Sequence, residues 1–96
     1  MSKANYEAVL VFSLKNGEEQ AKALVEKFSA LIEANGVLDS VDEWGSRRLA
    51  YIIDYQTEAY YVLYNFQAEP EFPAELDRVL KITDGVLRSL IVKKDQ

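Results

Sequence analysis

The sequence predicts an α+β fold of the ferredoxin-like type, with elements in the order βαββαβ and two helices on one face of a four-stranded antiparallel sheet. Strand-like alternation and helical spacing follow each other along the chain in that order. The 96 residues suffice for one two-layer core, and the hydrophobic share of 49% excludes a chain disordered by composition. We expect the spatial strand order 4-1-3-2 in a single domain over residues 1–96, with a short polar tail from about residue 93.

The first strand and the first helix are marked by a change of period. From about residue 5 to residue 12 the side chains alternate as in a strand, and a stripe at helical spacing follows. Asn16, with Glu19 three positions later, predicts the helix N-cap. Asn35-Gly36 predicts the end of the helix, which we therefore expect over residues 17–34. The stripe expected in the core consists of Leu24, Val25, Phe28, Leu31 and Ile32.

The rest of the chain supplies two strands, a short helix and a last strand. Residues 37–54 predict a long strand that is interrupted at Trp44-Gly45, where glycine permits a bend or a bulge. A turn over residues 55–58 leads to a third strand that ends near Gln67. Pro73 suits the first turn of the short helix, and residues 86–92 predict the last strand.

Two adjacent arginines lie in the second predicted strand, directly after Gly45-Ser46. Neighbouring side chains of a strand point to opposite faces, so Arg47 and Arg48 cannot both serve one buried partner. At least one of them therefore faces outward, toward an acid or a phosphate. A guanidinium suits both groups because its planar fork makes two parallel hydrogen bonds.

The segment Gly45-x-Arg47-Arg48-Leu49-Ala50-Tyr51-x-Ile53 resembles the signature of the bacterial small-subunit ribosomal protein six family. The resemblance spans nearly the whole chain, from Tyr6-Glu7 through Tyr61-Val62-Leu63 to residues 84–93. It implies a structural role on the cytoplasmic ribosome. In that role, the resemblance implies, the chain would bind the central domain of small-subunit ribosomal RNA together with small-subunit ribosomal protein eighteen.

Three positions depart from the family's pattern. Asn5 stands where relatives commonly carry a basic residue, and Ile52 stands where many have proline. Asp54 stands where a basic or small polar residue is usual. The departures at Asn5 and Asp54 predict weaker phosphate contact at the N-terminus and near the hairpin.

The charge balance limits how the chain meets RNA. Eleven basic and sixteen acidic residues give a net charge of −5, which argues against wholesale coating of nucleic acid. The helices carry mostly acids, whereas the basic residues on or beside strands make the sheet side more positive. The alternative is that these cations are solvated or form weak surface ion pairs. The candidate RNA-binding residues are Lys3, Arg47, Arg48, Arg88, Lys93 and Lys94.

Polar residues indicate which face of each strand is turned away from the helices, namely Glu7 in the first strand, Asn65 in the third and Arg88 in the fourth. A solvated sheet face should be polar, and a contiguous apolar patch marks an interaction site. We therefore predict a docked protein, and the resemblance implies that it is protein eighteen. The alternative is that these apolar residues are core. The predicted partner face consists of Val9, Val11, Tyr61, Leu63, Leu90 and Val92.

Several kinds of site are excluded by composition. The chain has no Cys and no His, so disulfides, a thiol nucleophile and imidazole chemistry are unavailable. No apolar run approaches the roughly 20 residues of a membrane helix, and the N-terminus lacks the apolar core of a signal peptide. We expect a soluble cytoplasmic protein without catalytic residues, metal, cofactor, small-molecule substrate or membrane contact.

Two rival functions share the predicted topology. A small-molecule-binding regulatory domain would bind an amino acid at a dimer interface, but the Gly-rich turns that such domains use are missing. An acylphosphatase-like enzyme would need a phosphate-cradling Arg in the loop over residues 13–17, which has none. A melting shift with amino acids would support the first function, and hydrolysis of an acyl phosphate would support the second.

Overall fold

The computed structural model describes residues 3–53 and 56–94. In this part of the chain four strands form one antiparallel sheet in the expected spatial order 4-1-3-2, numbered along the chain. The predicted ferredoxin-like fold is confirmed. The elements are β1 (Ala4–Ser13), α1 (Glu18–Asn35), β2 (Gly36–Ile53), β3 (Gln56–Ala68), α2 (Phe72–Lys81) and β4 (Val86–Lys93).

Both helices pack on one face of the sheet and enclose the core. The alternation of β1 and β3 turns every second side chain toward the helices, and the apolar stripes of α1 and α2 cover them. The Phe12 ring of β1 stacks on Phe28 of α1 with 6.0 Å between ring centroids. The buried Tyr64 hydroxyl donates a hydrogen bond of 2.7 Å to the Val25 carbonyl, so its polar end is satisfied.

The start of α1 differs from the prediction. Asn16 is not the N-cap, because the helix begins at Glu18 and Gly17 takes the cap position with φ 96°. The Gly17 amide donates to the Leu14 carbonyl, and this tight turn favours glycine because φ is positive. No side chain caps the helix, but Glu18 and Glu19 place negative charge in its first turn.

The end of α1 lies where the sequence predicts it, within one residue. Asn35 is the last helical residue, and its Nδ2 donates to the Leu31 carbonyl at 2.9 Å. Gly36 is extended, with φ −178°, and glycine is required there for space, since a Cβ would lie 2.1 Å from the Gln67 carbonyl oxygen. The stripe is slightly rotated, so Leu31 packs at the edge of the core while Ile32 is fully buried.

The β2–β3 hairpin is long and irregular. The register passes from Glu43 opposite Val62 to Gly45 opposite Tyr61, which leaves Trp44 as an extra residue beside a glycine with φ 82°. This bulge confirms the predicted interruption. The predicted turn over residues 55–58 is wrong from Gln56 onward, because β3 already begins there. Asp54 and Tyr55 lie outside the described residues.

Side-chain bonds explain why β3 begins so early. The Gln56 side-chain oxygen accepts hydrogen bonds from the Ser13 hydroxyl at 2.8 Å and from the Leu14 amide at 3.2 Å. The first residue of β3 is thereby tied to the end of β1.

The last helix and strand follow the prediction closely. Pro73 lies in the first turn of α2, as expected for a residue without an amide hydrogen. β4 extends to Lys93, and the Lys94 amide donates to the Asn5 carbonyl at 2.8 Å. The expected polar tail is therefore still attached to β1 at these two residues, and Asp95 and Gln96 lie outside the described part of the chain.

Candidate RNA-binding and partner interface

The sheet face opposite the helices is arranged in rows across three strands. Directly opposed residues share a face, and Val9 lies between Leu63 of β3 and Leu90 of β4. Val11 lies between Tyr61 and Arg88 in the next row. On the other side, Glu7 lies between Asn65 and Val92. The six residues of the predicted partner face thus lie on one face, and none of them belongs to the core beneath the helices.

Exposure divides this face into two parts. Leu90 and Val92 are 60% and 40% exposed, and Val9 and Leu63 are half-buried. Val11 is only 5% exposed, because it lies in a second small cluster with Leu49 and Ala59. Val11 is therefore not available to a partner, contrary to the sequence-based expectation. The cause is tertiary, since the end of the β2–β3 hairpin folds over this part of the face.

Trp44 adds an aromatic surface that the prediction of the partner face omitted. Trp44 is the bulged residue and has no paired residue in β3. Its ring stacks on Tyr61 with 6.3 Å between the ring centroids. Its Nε1 donates to the Asp42 carboxylate at 3.0 Å, and 38% of the residue remains exposed. Trp44 therefore packs on the open face of the sheet, against Tyr61. We call the combined set the open apolar surface: Val9, Trp44, Tyr61, Leu63, Leu90 and Val92.

The rim of the open apolar surface is polar and of mixed charge, with cations at Arg88 and Lys94 and carboxylates at Glu7 and Asp42. Asp42 lies opposite Leu63, and Glu7 lies in the row beside Val9. Lys94 reaches across β1, where its Nζ donates to Asn65 Oδ1 at 2.7 Å. A protein that docks here meets an apolar centre with carboxylates at its edge, which favours a partner that carries basic residues.

Arg47 and Arg48 lie on opposite faces of the edge strand β2. Arg47 is opposite Ala59, whose side chain lies on the open face, and Arg48 is opposite Glu58 on the other face. Both arginines are exposed, and neither forms a salt bridge with an acid among the described residues. Arg47 donates only a local bond of 3.1 Å to the Ser46 carbonyl. Within the described ranges, both guanidinium groups therefore have hydrogen-bond donors left to bind a ligand from outside the chain.

The other four candidate RNA-binding residues do not join them in one patch. Lys3 precedes β1, and Lys93 is opposite Tyr6 on the helix side. Lys94 is bonded to Asn65, as described above. Arg88 lies at the other end of β4, about 17 Å from Lys93 at a rise of roughly 3.3 Å per strand residue. Only Arg88 shares the end of the sheet that carries the arginine pair.

Two tyrosines beside the site, Tyr60 and Tyr64, have raised pKa values. The Tyr60 hydroxyl donates to Glu43 Oε1 at 2.7 Å, and this bond to a carboxylate, together with burial, raises the pKa of Tyr60 to about 12. Burial raises the pKa of Tyr64 to about 12 as well. Both phenols therefore act as hydrogen-bond donors at neutral pH and fix the sheet to the bulge and to α1.

The described ranges lack a cluster of metal-type ligands and contain a broad polar concavity. Residues 3–53 and 56–94 contain no group of three or more acidic side chains placed to hold a metal ion. A concavity of about 530 Å³ lies between the loops that flank β1 and β4 and is lined by polar groups such as Lys15, Asn16 and Thr83. None of the described helices has the length and apolar character needed to cross a membrane.

Comparison with known proteins decides the family. Residues 5–93 match the family model described as Ribosomal protein S6. The chain belongs to the ribosomal protein S6 family. The Small ribosomal subunit protein bS6 of Clostridium perfringens is 53% identical over 92 residues, which cover 95% of this chain and 97% of that protein. The protein of the same name from Clostridium novyi is 48% identical over 93 residues, 96% of this chain and 98% of that one.

A solved structure supports the same assignment. The crystal structure of 30S ribosomal protein S6 from Thermotoga maritima superposes with a TM-score of 0.89 at 26% identity, covering 96% of this chain and 88% of that chain. The family resemblance of the arginine segment is thereby confirmed. As an S6-family member the chain is a small-subunit ribosomal protein, associated with ribosomal RNA and other ribosomal proteins on the cytoplasmic ribosome. A small-molecule-binding regulatory domain is not favoured.

Proposed function

We propose that this chain binds the central domain of small-subunit ribosomal RNA together with small-subunit ribosomal protein eighteen, as a structural and non-catalytic component. The observation that carries this proposal is the separation of two surfaces. The open apolar surface lies on the sheet face, and the exposed arginine pair lies on the adjacent edge strand β2. One surface suits a protein and the other suits phosphate, so both partners fit at once.

The protein partner is supported by the apolar row at the centre of the face. Leu63, Val9 and Leu90 are directly opposed across three strands, and Leu90 is largely exposed. Full burial of such side chains stabilises a complex by about 1.5–3 kcal/mol each. The carboxylates of Glu7 and Asp42 on the rim add complementarity to a basic protein.

The RNA partner is supported by the geometry of the arginine pair. Arg47 and Arg48 point to opposite faces of an edge strand, so a phosphate backbone that runs along this edge lies within reach of both. Two cations do not hold a long RNA site alone when the whole chain carries a net charge of −5. A basic protein partner on the sheet face supplies the remaining phosphate contacts.

The test is a thermodynamic cycle with three components. The affinity of this chain for a central-domain RNA fragment is measured with and without protein eighteen, and its affinity for protein eighteen is measured without RNA. We expect a direct protein complex, weak binding of this chain to RNA alone, and much tighter binding to RNA when protein eighteen is present. Equal RNA affinity in both conditions, or no protein complex, would contradict the proposal.

A further inference from the structure

The β2–β3 hairpin loses its regular pairing just after the arginine pair. Arg48 is opposite Glu58, but the next recorded pair is Ile53 opposite Gln56. Five steps along β2 therefore correspond to only two steps along β3. We call residues 49–53 the hairpin tip. Because the ladder does not align these residues one by one, side-chain contacts must determine the direction of the tip.

Two such contacts hold the hairpin tip over the sheet. Leu49 is buried against Val11 and Ala59, which fixes the root of the tip. Further out, Arg88 of β4 donates from Nη2 to the Tyr51 hydroxyl, and its Cζ lies 5.0 Å from the centroid of the Tyr51 ring. Tyr51 is 55% exposed, so burial alone does not explain its position.

We propose that Arg88 is a positioning residue for the arginine pair. Arg88 acts through Tyr51 and does not itself bind phosphate. The proposal rests on the proposed function, since it concerns how Arg47 and Arg48 meet RNA. The tip follows Arg48 directly in the chain, so fixing Tyr51 limits the movement of the strand end from which both arginine side chains project. The Tyr51–Arg88 contact joins β2 to β4, the two edges of the sheet.

The inference reassigns a residue that charge alone marks as an RNA ligand. The Arg88 guanidinium is already occupied by the hydroxyl and the ring of Tyr51, whereas the arginine pair has no comparable partner among the described residues. A direct ligand and a positioning residue differ in a measurable way. Only the positioning role makes Tyr51, which carries no charge, matter for RNA affinity.

The first test uses the free protein. Amide hydrogen exchange is measured for Arg88→Leu, Tyr51→Leu and the double variant, with Arg78→Leu as the control that removes one cation from exposed α2. An exposed contact of a cation with an aromatic ring corresponds to a roughly two- to fivefold change in population. We expect the tip amides to exchange about two to five times faster in each single variant than in the unmodified protein. The double variant should exchange no faster than the single variants. Unchanged exchange in Arg88→Leu would overturn the proposal.

The second test measures assembly with protein eighteen and the RNA fragment as a function of salt. We expect Tyr51→Leu and Arg88→Leu each to weaken binding about two- to fivefold, without further loss in the double variant. A different result would show that Arg88 binds phosphate directly. In that case Tyr51→Leu leaves the RNA affinity unchanged, whereas Arg88→Leu weakens it and lowers the slope of log affinity against log salt by about 0.7–0.9.

The two proposals can fail separately. If replacing Arg47 and Arg48 leaves RNA binding unchanged, the proposed RNA site is wrong, and Arg88 has no pair to position. Hydrogen exchange then still reports whether the Tyr51–Arg88 contact orders the tip in the free protein. If exchange responds but RNA affinity does not change in either single variant, the contact exists and the positioning role is refuted.

Discussion

Leu90 of β4 lies directly opposite Val9 of β1 on the sheet face that no helix covers, and the leucine is 60% exposed. One row further along, Val11 lies on the same face and is buried by the hairpin tip. Two neighbouring apolar positions on one face therefore serve different purposes. Val11 stabilises the free domain, whereas Leu90 is available for a partner.

The first prediction compares these two positions. Leu90→Thr should change the free energy of unfolding of the free domain by less than about 0.5 kcal/mol, because surface substitutions have small effects. Affinity for protein eighteen should fall about tenfold or more, since burial of such a side chain is worth about 1.5–3 kcal/mol. Denaturant unfolding and titration with protein eighteen measure the two quantities.

Val11→Thr is the matched control for Leu90→Thr. It buries a hydroxyl, which costs about 1–3 kcal/mol in the free domain, and its direct effect on partner affinity should be small. If Leu90→Thr instead destabilised the free domain and Val11→Thr left its stability unchanged, the open apolar surface would be placed wrongly.

The second prediction concerns the salt dependence of RNA assembly. Replacing both Arg47 and Arg48 by Ala should reduce the slope of log affinity against log salt by about 1.4–1.8, since each lost phosphate contact contributes about 0.7–0.9. The control variant replaces Lys22 and Lys27 of α1 by Ala, which removes the same charge from a helix instead of from β2. Equal slopes for the two variants would mean that the arginine pair does not contact phosphate.

The sequence predicts the fold well because periodicity and local breakers determine most of it. The faces of β1 and β3 follow from strict alternation, so the open face could be assigned from a few polar residues. Alternation fails at a bulge, so the face on which Trp44 lies does not follow from the strand pattern. The burial of Val11 and the contact of Tyr51 with Arg88 depend on how the hairpin tip folds over, which no local pattern encodes.

The helix ends show the same limit on a smaller scale. Asn16 and Gly17 are both residue types that favour the N-cap of a helix. Gly17 takes this position because the turn requires a positive φ, which glycine adopts without strain. The rotation of α1 by a fraction of a turn decides whether Leu31 or Ile32 points into the centre of the core. A helical stripe predicts the covered side of the helix, but its deepest residue depends on the packing of the sheet beneath it.

The third prediction tests that rotation. Ile32→Ala should lower the free energy of unfolding by about 2–5 kcal/mol, because the residue is fully buried and leaves a cavity. Leu31→Ala, at the edge of the core, should cost less than about 2 kcal/mol. Equilibrium denaturation of both variants measures the difference. A larger loss for Leu31→Ala would indicate that α1 is rotated relative to this arrangement.

The fourth prediction uses the hydrogen bond between Tyr60 and Glu43. The phenol pKa rises from 10.0 in the unfolded chain to about 12 in the folded protein, because the Glu43 carboxylate accepts a hydrogen bond from the protonated phenol and the phenol is buried. The folded state therefore holds this proton more tightly. The resulting stabilisation is complete below pH 10 and is lost as the pH rises toward 12.

Tyr60→Phe should remove this part of the alkaline loss of stability. Because Glu43 is exposed to solvent, we expect a contribution on the order of 1 kcal/mol instead of the full value of the pKa shift. The useful quantity is the difference between the unfolding free energies of the two proteins at each pH, because it isolates the contribution of the Tyr60 hydroxyl. That difference should shrink between pH 10 and 12. A constant difference across this range would show that the Tyr60 proton is bound no more tightly in the folded protein than in the unfolded chain.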